Sequence, residues 1–461
     1  MDCKDYLYNK QHIQNNDGFK PLFIPDYLYD FQSFLTKWSI EKGRSAIFAD
    51  CGLGKTIMEM VWAQNVVQHT NKSVLLITPL AVSIQMIKEA EKFGIDVVRS
   101  KDGITDNKKR IVITNYENLH KFDSNNFAGV VADESSILKN FDGKTKQLVT
   151  IFMRKIKYRL LATATAAPND YIELGTSSEA LGYLGYMDML GKFFKNEQNN
   201  CATNRRGRFT EATKWRLKGH AHKAFWRWVT SWSRAIRKPS DIGYSDKDFI
   251  LNPLHIHNHM LKVDGFTPEG IFPQLNVIAV GLKEIRDEVR KTIDKRCQTA
   301  ANMVKDIDDY SVVWCNLNDE GDLLEKLIPD SVQVKGSDKD DAKEEKLLAF
   351  SNGDVKRMII KPKIGGFGLN WQHCNRMVFF PTYSYEQFYQ AVRRCYRFGQ
   401  KRDVYVDVVY SEGLENVVYN LERKRKQADD MFKQLIEHMN NSLYIKRGTD
   451  YITKQEIPTW L

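Results

Sequence analysis

The stretch ADCGLGKT occupies 49–56, between the apolar run SAIFA (45–49) and the amphipathic run TIMEMVWAQNVV (56–67). A strand feeding a glycine-rich turn that opens a helix is the context of a phosphate-binding loop. Gly52 and Gly54 let the backbone turn tightly, so that its N–H groups can face phosphate oxygens, with Leu53 between them. The start of the following helix adds a dipole that favours anions. Lys55 is the candidate for the β- and γ-phosphates, and Thr56 for Mg²⁺. The strict pattern has Gly where Ala49 stands, a departure shared by A-x-x-G-x-G-K-[ST] variants. A second motif must hold the metal, and GVVADESS (129–136) offers an apolar strand ending in two adjacent carboxylates. Asp133 is the candidate for Mg²⁺ through water, and Glu134 for orienting and deprotonating an attacking water. ATP and Mg²⁺ are the cofactors so implied, and Glu134 points to hydrolysis.

Outward from this loop, short β-branched runs alternate with helical patterns, which is the pattern of a parallel α/β fold. Strands are expected at 45–49, 74–78, 110–114, 129–133 and 158–163, and again at 311–315, 332–335, 357–361, 376–380 and 403–410. Runs such as VLLIT and GVVAD are continuously apolar and suit a sheet covered by helices on both faces. The expected organisation is an ATP-binding domain at 1–169, a basic, aromatic-rich and mainly helical insertion at 170–282, a second doubly wound domain at 283–410, and a charged helical tail at 411–461. A long helical pattern at 282–307 leads into the second domain, and the tail reads as a solvated helix.

The 461 residues are 42% hydrophobic and 27% charged, the balance of a globular protein. No run of 18 apolar residues occurs, so no transmembrane helix is expected. The N-terminus lacks the apolar core of a secretory signal. Seven cysteines without a CxxC pair argue against a disulfide framework or zinc ribbon and fit a reducing cytoplasm. The net charge is +10, and it is local. Residues 201–240 hold eleven Lys/Arg against Glu211 alone, while the remainder carries 57 charges of each sign. Such a stripe suggests a polyanion, with Arg205, Arg206 and Arg208 as phosphate contacts. In AHKAFWRWVTSWSRAIRK (221–238), Phe225, Val229, Trp232 and Ile236 fall at helical spacing and read as core. Lys223, Arg227, Arg234 and Arg237 read as further phosphate contacts.

The ordered series of motifs resembles superfamily-two helicases of the Swi/Snf branch, most of all the compact DEAD-box-like members that phages and prophages encode. The likeness runs from about Tyr27 to Tyr410 and implies two RecA-like domains. LYDFQSFLTKW (28–38) places Gln32 where that family reads adenine. LLITPLAVSIQ (75–85) and VITNYENL (112–119) imply contacts of Pro79, Thr114 and Asn115 with the nucleic-acid backbone. TATAAPN (163–169) matches the motif that couples hydrolysis to strand movement, through Thr163, Thr165 and Asn169. VKGSDKDDAKEEKLLAF (334–350) and KPKIGGFGLNWQ (361–372) imply nucleic-acid contacts at Gly336, Ser337, Lys361, Lys363 and Asn370. They also put Gly366 and Gly368 beside ATP. QAVRRCYRFGQ (390–400) matches Q-x-x-x-R-x-x-R-x-G-Q, with Gln390 in a coupling role. Arg397 is the implied arginine finger, and Arg394 a second grip on the γ-phosphate. The branch carries Asp where Arg393 stands, a departure that leaves the pairing around this motif open.

The resemblance implies a DNA-dependent ATPase, a translocase or helicase on duplex or forked DNA. It implies a monomer working in phage replication or recombination in a bacterial host cytoplasm. A co-encoded nuclease or a replication protein is the candidate partner. The alternatives are an ATP-gated DNA clamp, a motor subunit that recruits a nuclease, and an RNA helicase. Elsewhere, His255, His257 and His259 alternate in HIHNH on one face of a possible strand, but the neighbouring sequence suggests no Cys or carboxylate partner for a metal.

Overall fold

The structure, a computed structural model, describes residues 16–103, 109–196, 215–262, 282–365 and 370–447. The basic residues Arg205, Arg206 and Arg208, and the glycines Gly366 and Gly368, lie outside the described residues.

Two parallel sheets organise the chain. The first is built from β1 (Arg44–Ala49), β2 (Ser73–Thr78), β3 (Val97–Arg99), β4 (Ile111–Asn115), β5 (Phe127–Asp133) and β6 (Tyr158–Thr163). A small antiparallel pair, β7 (Phe194–Asn196) and β8 (Trp215–Leu217), stands apart from it. The strand β9 (Ser233–Ile236) then joins the first sheet, giving the order β3-β4-β2-β5-β6-β1-β9. The second sheet contains β10 (Leu254–Leu261), β11 (Ser311–Trp314), β12 (Ser331–Val334), β13 (Arg357–Ile360), β14 (Arg376–Phe379) and β15 (Val404–Ser411), in the order β10-β15-β14-β11-β13-β12. Every pairing within the two sheets is parallel. These are two RecA-like α/β lobes.

Alternating residues explain why the strands are apolar throughout. Phe48, Leu75, Ile77 and Val130 face one core layer of the first lobe, while Ile47, Leu76 and Val131 face the other. Both faces are covered, so neither can be polar. The functional consequence lies at the C-terminal ends of the strands. There the loop 50–54, Thr78, Asp133 and Thr163 meet along one edge, the side on which open α/β sheets bind ligands.

The described part of the region expected as an insertion at 170–282 contributes a strand to each sheet. Its strand β9 pairs with β1 in the first sheet, and β10 pairs with β15 in the second. The helix His222–Trp232 buries Phe225, Val229 and Trp232, but the backbone turns extended at Ser233. Ile236 is therefore buried from a strand and not from the helix the spacing predicts. Arg234 is also corrected as a phosphate contact: it is 6% exposed, bonds the Ser233 carbonyl at 2.9 Å and lies over the Trp38 ring. Arg237 pairs with Asp429 at 2.8 Å and stacks on Phe432. Lys223 and Arg227 are exposed.

The 282–307 pattern is two helices, Leu282–Lys291 and Ile293–Val304. The tail is one 33-residue helix, Glu415–Arg447, and it is not simply solvated. Val417 packs in the core of the second lobe, whereas Met431, Phe432 and Leu435 enter that of the first. The helix straps one lobe to the other.

Candidate functional site

Gly52 and Gly54 have φ of 88° and 75°, the left-handed region that glycine enters without strain. A side chain is excluded at Gly52 for a second reason. A Cβ there would lie 2.9 Å from the backbone nitrogen of Phe398, in the second lobe. A Cβ on Gly54 would strike the Gln32 amide at 2.3 Å. The loop is thus clamped from both sides, and its helix Lys55–Thr70 begins immediately after it. Leu53 is buried, and Thr56 is half-buried on the first turn.

The Gln32 amide is occupied within the chain. Its Nε2 donates to the Leu53 carbonyl at 3.0 Å, and its Oε1 accepts from the Tyr29 N–H at 3.1 Å. In this conformation Gln32 buttresses the phosphate loop.

Lys55 Nζ donates to the Ala49 carbonyl at 3.0 Å. Burial works against its charge, but Cys51, Glu134, Asp133 and Asp50 outweigh burial and hold its pKa above the ordinary lysine value. Asp133, at the tip of β5, accepts from the Thr78 hydroxyl at 2.9 Å and from the Glu134 N–H at 2.8 Å. Burial, and then the Glu134 carboxylate, push its pKa up to about 7. A bound cation would oppose that rise. Glu134 has φ of 49°, so the chain turns sharply at the strand tip. The Thr163 hydroxyl donates to its Oε2 at 3.4 Å and accepts from the Thr165 N–H at 3.1 Å.

A third carboxyl was not recognised in the sequence. Glu59, one helical turn after Lys55, is 1% exposed and lies beside Asp133. Burial first, then Asp133, hold its pKa well above the carboxylate range. Its signal was positional: residues four apart share a helix face, so a carboxyl four after the loop lysine turns into the site.

The second lobe closes the site. The helix Tyr385–Cys395 buries Gln390 and Arg394, and Arg394 Nε donates to the Gln390 carbonyl at 3.0 Å. Arg397 lies just beyond this helix, beside Phe398, which rests on Gly52. Burial lowers the Arg397 pKa to about 10, helped by Arg394 and opposed by Cys51, Glu89 and Glu134 of the first lobe. Arg393 makes an ion pair across the cleft. Its Nη2 donates to Asp50 Oδ2 at 2.6 Å, the Tyr389 hydroxyl bonds the same carboxylate, and the Arg393 guanidinium lies over the rings of Tyr389 and Tyr396. Burial alone would lower the Arg393 pKa, but Asp50 reverses this and raises it. The departure at Arg393 thus has its answering charge in the phosphate loop. Arg99 with Glu344 at 3.2 Å, and Lys139 with Glu386, join the lobes nearby.

Asn169 donates to the Glu173 carboxylate twice, from its backbone N–H at 3.1 Å and from its side-chain amide at 2.8 Å. Lys424 of the strap helix reaches its Oδ1 at 3.4 Å. The proposed nucleic-acid contacts divide by exposure. Gly336, Ser337 and Lys363 are exposed, Pro79, Asn115 and Asn370 are half-buried, and Lys361 Nζ donates to Asn318 Oδ1 at 2.5 Å. Thr114 is 2% exposed, buried in β4.

Residues 294–399 match the helicase conserved C-terminal domain. The chain is 22% identical over 463 residues to an uncharacterized ATP-dependent helicase, YqhH, of Bacillus subtilis, spanning 91% of this chain and 80% of that protein. It is 29% identical over 157 residues to the protein CHROMATIN REMODELING 25 of Arabidopsis thaliana, covering 17% of that protein's length. Over 117 residues it is 32% identical to Switch 2 of the same plant, 14% of that length. A solved structure, the Sulfolobus solfataricus SWI2/SNF2 ATPase core in complex with dsDNA, aligns over 93% of this chain and 98% of its own at 18% identity, with a TM-score of 0.42. The fold and the two-lobed site define an ATP-hydrolysing enzyme of the helicase type.

Proposed function

We propose that the chain is an ATP-driven DNA translocase of the Swi/Snf type, hydrolysing ATP between its lobes and moving along duplex or forked DNA. The observation that carries this reading is the seating of Phe398 on Gly52 of the phosphate loop, with Arg393 bonded to Asp50 across the cleft. Half of the hydrolytic apparatus stands on each lobe, so turnover requires closure, and closure moves one lobe against the other. Lys55 and the backbone of 52–54 would hold the phosphates, Thr56 and Asp133 would hold Mg²⁺, and Glu134 would orient water. The bound cation would supply charge neutralisation at the transferring phosphoryl group. Arg397, aided by Arg394, would stabilise the charge that develops there. Thr163, Thr165, Asn169 and Gln390 would relay the event. Gly336, Ser337 and Lys363 are the nucleic-acid contacts that exposure supports, with Pro79, Asn115, Lys361 and Asn370 as half-buried candidates, and DNA is the polymer to test. A role in phage replication or recombination, a monomeric state, a cytoplasmic location and a nuclease partner belong to the same proposal.

The test is ATP turnover by the full chain with single-stranded, duplex and forked DNA and with RNA. Duplex or forked DNA should stimulate most, and the stimulation should fall as salt rises, because backbone contacts release counterions. Equal turnover with and without nucleic acid contradicts the motor reading, and stimulation by RNA alone replaces DNA with RNA.

A further inference from the structure

The HIHNH run forms β10, the outer strand of the second sheet, paired in parallel with β15. Alternation puts His255, His257 and His259 on one face. The register sets His257 directly opposite Asp407, a residue 150 positions further on in the sequence. The carboxylate that the local sequence did not offer is therefore supplied by the fold. His259 Nε2 lies 2.7 Å from Asp407 Oδ1, and His257 Nδ1 lies 3.4 Å from the same oxygen. His255 belongs elsewhere: it bonds Asp403 at 3.0 Å and stacks on Tyr405.

We propose that His257, His259 and Asp407 form a binding site for one divalent transition-metal ion. The three donor atoms lie within 4.8 Å of one another. Bond lengths of about 2.0–2.2 Å place tetrahedral ligands roughly 3.3 Å apart, so modest rotation about the side-chain bonds brings all three into range. Two imidazole nitrogens and one carboxylate oxygen select Zn²⁺, Co²⁺, Ni²⁺ or Cu²⁺ over Mg²⁺ and Ca²⁺, which take all-oxygen shells. Three protein ligands leave one position for water. The ligands stand on two neighbouring strands with fixed register, so the backbone is already in place. Partial exposure of His257, at 52%, gives the ion a route in. Bound there, it would clip β10, the outer strand among the described residues, to β15. The competing arrangement is two imidazoles that only donate hydrogen bonds to Asp407.

The experiment is calorimetric titration of chelator-treated, tag-free full-length chain with Zn²⁺, repeated with Co²⁺ by visible absorption. One ion per chain should bind, and Zn²⁺ should raise the melting temperature. His257→Ala and Asp407→Asn should each weaken the binding by about tenfold or more, and abolish the Zn²⁺-induced shift, with an unchanged far-UV spectrum. His255→Ala should bind as the parent does. No uptake by the parent at tenfold molar excess of Zn²⁺ overturns the site. So does uptake that His257→Ala and Asp407→Asn leave unchanged, or that His255→Ala weakens equally.

Discussion

At the residue scale, the contact between Asp50 and Arg393 decides how the cleft is held. Both side chains are largely buried, at 8% and 16% exposure, and each is hydrogen-bonded to the other. Removing one partner leaves a buried charge unanswered, which costs about 3–5 kcal/mol in buried pairs. Because this pair spans the lobes, that cost falls on closure. Asp50→Ala and Arg393→Ala should each lower kcat, and the double variant should lose much less than the two losses combined. A double-mutant cycle on turnover measures this, and fully additive losses would show that the pair is not coupled. The sequence disclosed the phosphate loop, the strand-tip carboxylates and the arginines because each follows a local pattern. It could not disclose the partner of Arg393, since Asp50 precedes it by 343 residues and only the fold joins them. Glu59 escaped for another reason: a Glu in an amphipathic helix reads as a surface charge until the strand beneath it is placed.

At the scale of elements, apolar continuity made ten strands legible, from β1 to β15, with ends shifted by a residue or two. The other strands gave weaker signals: β3, β7 and β8 are only three residues long, β9 continues the spacing of the preceding helix, and β10, read only as a possible strand, lies on an edge where polar residues weaken the apolar signal. Strands β9 and β10 complete sheets whose other strands lie elsewhere in the chain. Within the second lobe, the helices Ile293–Val304 and Asn318–Leu327 are tied by Arg296 and Glu320, 2.7 Å apart and 1% and 0% exposed. Arg296 also lies over the Phe380 ring. Arg296→Met should destabilise this lobe by about 3–5 kcal/mol, whereas Arg296→Met with Glu320→Leu should recover much of that loss, because the buried charge is removed along with its partner. Denaturant unfolding followed by Trp314 fluorescence would report it; a double variant no more stable than the single one contradicts this view.

For the molecule as a whole, the strap helix Glu415–Arg447 and the cleft contacts connect the same two lobes at separate places. The sequence showed the charge of this helix but not its reach, because its buried residues are sparse and their partners are divided between the two lobes. The central claim is that hydrolysis is assembled from both lobes, with the decisive cation on the second. Arg397→Ala tests this most directly, by fluorescent-ATP binding alongside steady-state turnover on duplex DNA. Nucleotide affinity should remain close to that of the parent, while turnover falls by about 10³-fold or more, as loss of an arginine finger does elsewhere. An Arg397→Ala protein that still turns over ATP at the parental rate would contradict the claim.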